Sequence, residues 1–249
     1  LPVDGKGPRF VINASNIQSG VLWRFSRPYA RDWRVGKIPN PTFSLAIAVA
    51  ASSAFPPLVS PVVLEVNESA YEAGSGADLQ FPPYTTRVHL TDGGVYDNLG
   101  LESAWKRHRV VLVSDGGGRL APLEKPQRDW LRHTLRVLNL VDNQVRSLRK
   151  RQLLASYQLP TEDPNHRFGA YWGIRGNIAD FGLPDTLPCP HEQTMKLAAT
   201  PTRLGKLAAA DQERLINWGF AVCDAALRRH VDTALKKPLD FPYPSRGVG

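Results

Sequence analysis

Along the first hundred residues, apolar side chains come in short runs broken by glycine, proline and polar clusters. That is the pattern of strands. Residues 9–13, "RFVIN", predict a buried strand. Residues 20–36, "GVLWRFSRPYARDWRVG", alternate apolar and polar positions and predict one or two strands near a sheet edge. The alanine-rich run "PTFSLAIAVAASSAFPP" predicts a helix capped by Thr42 or Ser44 and stopped by Pro56 and Pro57. A strand at 62–66 follows, then a loop through "NESAYEAGSGADLQFPPYT". A strand at 87–91 delivers Asp92, and a helix is expected over 99–107. The next strand is "RVVLVSDGGG", 109–118. Strand, helix and strand with short links imply a parallel, right-handed crossover.

Beyond Pro122 the period changes. From Asp129 to about Tyr157, Leu131, Leu135, Leu138, Val141, Val145 and Leu148 recur at steps of three and four, which puts them on one helix face. Arg128, Arg132, Arg136, Arg146, Arg149 and Lys150 lie mostly elsewhere, so the pattern predicts a core helix with a basic outer face. A short strand at "GAYWGI", a Pro- and Gly-rich loop ending at Cys189, and helices over 192–199 and 208–230 complete the chain.

Composition narrows the class. The chain has 249 residues and is 42% hydrophobic, enough for one large domain or two small ones with an ordinary core. No run of about eighteen uncharged apolar residues is present, so no transmembrane helix is expected. Cys189 and Cys223 are far apart and read as buried thiols, with neither a disulfide framework nor a zinc site. The opening Leu1-Pro2-Val3-Asp4-Gly5 lacks a methionine, a charged leader and a cleavable apolar core. It reads as the downstream part of something longer, or as a processed chain. The net charge of +8 permits attraction to anionic lipid or nucleic acid, and equally describes a solvated basic surface.

The stretch "VHLTDGGVYDNLGLESAW" carries the candidate chemistry. A carboxylate at the end of a central strand lies where ligands bind in open α/β sheets. Gly93 and Gly94 permit unusual backbone angles and close approach. Asp92 could then act as a general base or orient another group. An ordinary Asp-Gly turn explains the same residues equally well. The tract "SDGGGRL" could cradle a phosphate, but neither GxxxxGK nor GxGxxG is present. Asp92, Asp97 and Asp115 lack the spacing of a calcium loop, and no metal or other cofactor is expected. The six histidines form no HxxxH pair, and strand alternation points His89 away from the face of Asp92. No GxSxG nucleophile elbow is present.

Three blocks in order, "FVINASNIQSGVLWRFS", "SLAIAVAASSAFPPLVSPVVL" and "LTDGGVYDNLGLE", resemble the second half of a patatin-like phospholipase. Downstream, "RVLNLVDNQVRSLRKR" and "TRLGKLAAADQERLINWGFAVCDAAL" are similar to bacterial members. The resemblance implies an α/β fold: part of a three-layer α/β/α patatin-like sheet with a mainly helical C-terminal region. Residues 1–120 would be the C-terminal part of the catalytic domain, and 121–249 a helical extension packed on it. It implies a lipid acyl-ester hydrolase using a Ser-Asp dyad, with Asp92 matching the family's aspartate. Asp97 and Asn98 are then expected to cap the following helix. The family's oxyanion loop and GxSxG serine precede the region present here, so the serine is expected outside this chain, and the chain alone is expected to be inactive. Phe10, Val11 and Ile12 would keep an uncovered edge or face, favouring self-association or pairing with the absent segment. The expected partner is a phospholipid or other lipid ester, with peripheral membrane contact and a cytoplasmic or membrane-surface setting. The rival readings are a non-catalytic fragment that binds a membrane or a partner and, from charge alone, a nucleic-acid binder.

Overall fold

A computed structural model describes residues 1–3, 5–126, 128–201 and 205–249. Asp4 and Thr202–Leu204, the last opening one of the family-like downstream stretches, lie outside the described residues, as does Gln127. The chain divides into two compact units, Leu1–Ser103 and Ala104–Gly249.

The first unit is built on strands β1 (Ile12–Asn16), β2 (Val21–Phe25), β3 (Tyr29–Asp32) and β4 (Gly36–Pro39), helix α1 (Leu45–Ser52), and strands β5 (Val62–Glu65) and β6 (Arg87–Asp92). Short helices α2 (Gly94–Asp97) and α3 (Leu101–Trp105) follow. The six strands form one sheet in the order β4-β3-β2-β1-β6-β5, and every pairing is antiparallel. The stretch 20–36 holds two strands, β2 and β3, and β4 begins at its last residue.

The register fixes two faces. Ala14 lies opposite both Trp23 and Asp92, Leu90 opposite Val62, Val88 opposite Leu64, and Phe25 opposite Ala30. Those side chains share one face and form the core with Ala48 and Ala51 of α1. Helix α1 is apolar all round, so one side seals the sheet while Leu45, Ile47 and Val49 stay exposed. Ser44, one of the two predicted caps, accepts a hydrogen bond from the Ile47 amide at 3.2 Å.

Two hairpin turns share one buried polar cluster. Asn16 Oδ1 accepts from the Gln18 and Ser19 amides, and Asp32 Oδ1 from the Arg34 and Val35 amides. Asn16 Nδ2 then donates to Asp32 Oδ2 at 3.0 Å, and the Ser19 hydroxyl donates to the same oxygen. The Asp32 carboxylate is fully buried and accepts four donors, so the β1–β2 and β3–β4 turns are locked to one another.

Phe10 precedes the first strand and is 48% exposed, and the β1–β6 pairing begins only at Ala14, so Ile12 is paired on its β2 side alone. The parallel crossover is not found. Strand β6 is antiparallel to both its neighbours, and β7 (Val110–Asp115) pairs instead with β8 (Phe168–Gly173).

In the second unit β7 and β8 run parallel, joined by the long helix α4 (Trp130–Tyr157). Helices α5 (His191–Ala198) and α6 (Ala209–His230) complete it. Helix α6 supplies the core: Trp218, Ala221, Val222 and Ala225 are buried with Leu187, Cys189 and Leu197. Burial pushes the Cys189 thiol up to about 12, and both cysteines are free. Helix α4 departs from expectation. Leu131, Leu138, Val141 and Leu148 are 40–57% exposed, and only Leu153 and Ser156 near its end are buried. The stripe is real, but among the described residues this face is left largely uncovered; periodicity defines a face without supplying its partner. Among the described residues no helix is long and apolar enough to cross a membrane.

Asp32→Ala would strand several buried donors at once, so we expect a loss of about 3 kcal/mol or more. Urea unfolding of the full chain, followed by circular dichroism, checks this against Glu65→Ala at an exposed ion pair, expected within ~0.5 kcal/mol of wild type.

Candidate active site

Strand β6 lies between β1 and β5, which makes it interior to the sheet. Its pairing with β5 reaches Leu90 opposite Val62. Beyond that point the α1–β5 connection takes over. The Asp92 amide donates to Ala54 O at 3.0 Å and the Gly93 amide to Ser52 O at 3.2 Å. Ser52 ends α1, where carbonyls lack intrahelical donors. The Gly93 amide therefore satisfies an orphan acceptor at the end of α1, and the Asp92 amide one in the chain just beyond it. Thr91 strengthens the joint: its hydroxyl donates to Ala54 O at 2.9 Å and accepts from Ser60 at 2.8 Å.

On the other side, Asp92 pairs with Ala14, and the Ser15 hydroxyl donates to Asp92 O at 2.8 Å. The aspartate backbone is thus held from two sides. Its half-buried side chain shares the core face with Ala14 and Trp23 at the strand's end. Asp92 Oδ1 accepts the Gly94 amide at 2.6 Å, which orients the carboxylate.

Of unusual backbone angle and close approach, Gly93 uses the second. Gly93 has φ −62° and ψ −29°, ordinary helical values. A Cβ there would collide with the Asn13 carbonyl oxygen, so the requirement is space. Gly94 faces only the tips of the Asp92 and Asn98 side chains, each 3.0 Å from where its Cβ would lie.

Asp97 is buried and structural. Its Oδ1 accepts the Leu99 amide at 3.2 Å and its Oδ2 the Glu102 amide at 2.6 Å, which caps the start of α3 as expected. Asp115 belongs to the second unit, where its oxygens take the Gly117 amide and the Tyr171 hydroxyl. Among the described residues no group of three or more His, Cys, Asp or Glu gathers as a metal site. His89 is the one histidine in the sequence of the first unit, and the alternation of β6 puts it on the opposite face from Asp92. Sequence reasoning overlooked Asn13 and Ser15. The signal was there: "NAS" is a poor strand sequence, and small or polar residues in a strand mark close backbone approach.

The fold and site define an α/β unit that presents a carboxylate at the end of an interior strand, braced by a helix terminus. Residues 5–105 match the family model described as patatin-like phospholipase, and the family read from the sequence rests on that match. No curated protein and no solved structure matches the chain. The matched family acts on lipid substrates, and the match suggests a lipid hydrolase function for the region it covers.

Because its Cβ would meet backbone, Gly93→Ala should cost about 2–3 kcal/mol. Gly94→Ala meets side-chain oxygens at 3.0 Å, which need give by only a few tenths of an ångström, and should stay within ~1 kcal/mol of wild type. Thermal unfolding of the two variants separates these outcomes.

Proposed function

We propose that Asp92 is the general base of a Ser-Asp dyad in a lipid acyl-ester hydrolase, with the serine supplied from outside these 249 residues. The observation that carries this reading is the position of Asp92: end of an interior strand, backbone held from both sides, carboxylate oriented by the Gly94 amide, all within the patatin-like match. The absence of GxSxG from the sequence puts the nucleophile elsewhere.

The chemistry follows from a carboxylate held in place. Asp92 takes the serine hydroxyl proton as the oxygen attacks the ester carbonyl carbon. Backbone amides supplied with the serine stabilise the tetrahedral oxyanion. Its collapse expels the alcohol, which receives the proton from Asp92. Water then attacks the acyl-serine, again losing its proton to Asp92, and the fatty acid leaves as serine regains its proton. The single histidine of this unit faces the other side of the sheet, in keeping with a dyad. In this reading residues 1–120 are the C-terminal part of the catalytic domain and 121–249 its helical extension. The basic chain, at +8, meets anionic lipid at a membrane surface.

A second reading, a non-catalytic fragment that binds a partner or membrane, draws on the exposed Leu45, Ile47 and Val49 of α1.

The test pairs the chain with an upstream segment carrying the serine, fused or as a second polypeptide, and follows a short-chain nitrophenyl ester. Burst kinetics and serine-directed labelling are expected only with that segment. Asp92→Asn should lower kcat at least ~100-fold, and His89→Ala should leave it within ~5-fold. Turnover by residues 1–249 alone that depends on Asp92 would transfer the nucleophile to a serine of this chain, such as Ser52 or Ser53, and end the proposal.

A further inference from the structure

The second unit carries a different concentration of chemistry. Two loops leave the carboxyl ends of the parallel strands β7 and β8: "DGGGR" after β7 and "GIRG" after β8. Carboxyl ends of parallel strands are where ligands settle in α/β sheets. Here the loops and one face of α4 enclose a cavity of about 300 Å³ whose lining includes Asp115, Arg119, Arg146, Lys150, Tyr171 and Arg175. Four side chains are cationic and one is anionic.

The single carboxylate is fully engaged in building the site. Asp115 Oδ1 accepts the Gly117 amide at 2.8 Å, and its Oδ2 accepts the Tyr171 hydroxyl at 2.7 Å. Arg146 Nη1 stands 3.6 Å from Asp115 Oδ1, while Nη2 donates to Gly118 O at 2.6 Å. The guanidinium lies so close over the loop that a Cβ on Gly117 would overlap it and push it aside. One turn along α4, Lys150 rests its ammonium 4.3 Å from the Tyr171 ring centre. Among the described residues neither Lys150 nor Arg119 has a carboxylate partner, and Arg175, whose Nη2 donates to Ala198 O at 3.2 Å, holds a buried Nε–H with no hydrogen-bond partner.

A half-enclosed pocket with three surplus positive charges needs a counter-ion. Guanidinium forks and an ammonium converging with a glycine-rich turn suit tetrahedral oxyanions. We infer that this cavity binds a phosphate group, borne either by a soluble phosphate compound or by a lipid headgroup. The volume admits the phosphate with a small substituent. The site uses no residue of the Asp92 region, so the two proposals fail independently.

A purely structural role makes a different prediction. If Asp115 and Arg146 only pin the loop to α4, Lys150 is dispensable and no anion is held. The test uses the full chain at low salt. Calorimetric titration with inorganic phosphate and pyrophosphate addresses the soluble source. Flotation with phosphatidylcholine vesicles containing phosphatidic acid addresses the lipid source, with vesicles of equal charge carrying oleate as the control. Lys150→Gln removes the ammonium over the Tyr171 ring but leaves the Asp115–Arg146 and Asp115–Tyr171 contacts in place, and an unchanged melting curve checks its fold. Gly117→Ala displaces Arg146. Arg132→Gln, at an exposed position on the same helix, controls for general charge.

Saturable phosphate binding, weakened at least tenfold in Lys150→Gln and Gly117→Ala but within twofold in Arg132→Gln, supports a soluble ligand. The same variant pattern on phosphatidic acid vesicles alone supports a headgroup. The proposal is overturned by the absence of saturable binding to either probe, by equal binding to oleate vesicles, or by Lys150→Gln binding as well as wild type.

Discussion

Two backbone hydrogen bonds organise the first unit: Asp92 to Ala54 and Gly93 to Ser52. A helix terminus leaves carbonyls without donors, and a strand that outruns its neighbour leaves amides without acceptors. Joining the two satisfies both. The consequence is geometric. The last residue of β6 cannot slide along the sheet without breaking both joints, so its side chain has a defined direction. That is the condition a carboxylate must meet to take a proton from a neighbouring group.

The joint also explains the composition around it. Helix α1 must approach the sheet closely to place Ser52 and Ala54, and Ala48 and Ala51 are the buried contacts that allow it. Gly93 lets the chain turn against Asn13. Ser15 closes the far side by donating to the Asp92 carbonyl. Small residues on three separate segments thus serve a single junction. Further out, the Asn16–Ser19–Asp32 cluster fixes the hairpins that carry β1, so the register opposite Asp92 is set by buried polar groups as well as by apolar packing.

Much of this was legible in the sequence where the signal was local. The strand ending at Asp92, the Ser44 cap and the extents of α4 and α6 follow from alternation, helical period and cap chemistry. What failed was non-local. The crossover required β7 to pair with β6, and pairing depends on which edge is open in space. The apolar stripe of α4 was taken for a core face, yet a stripe does not name what covers it. Glycine after Asp92 allows either unusual backbone angles or close approach; the approach is what is used, and the group approached is a carbonyl on a strand about eighty residues earlier in sequence. The motif marked the right carboxylate, and the neighbours that hold it came from elsewhere in the chain.

Amide hydrogen exchange of the full chain, resolved by residue, tests the junction itself. If the α1 terminus braces the end of β6, the Asp92 and Gly93 amides exchange as slowly as the Leu90 amide inside the same strand, and Ser52→Pro or other changes at the end of α1 release all three together. Exchange of Asp92 and Gly93 at the rate of an exposed loop, with Leu90 still protected, would contradict the account, because the carboxylate would then sit on a frayed strand end with no fixed direction.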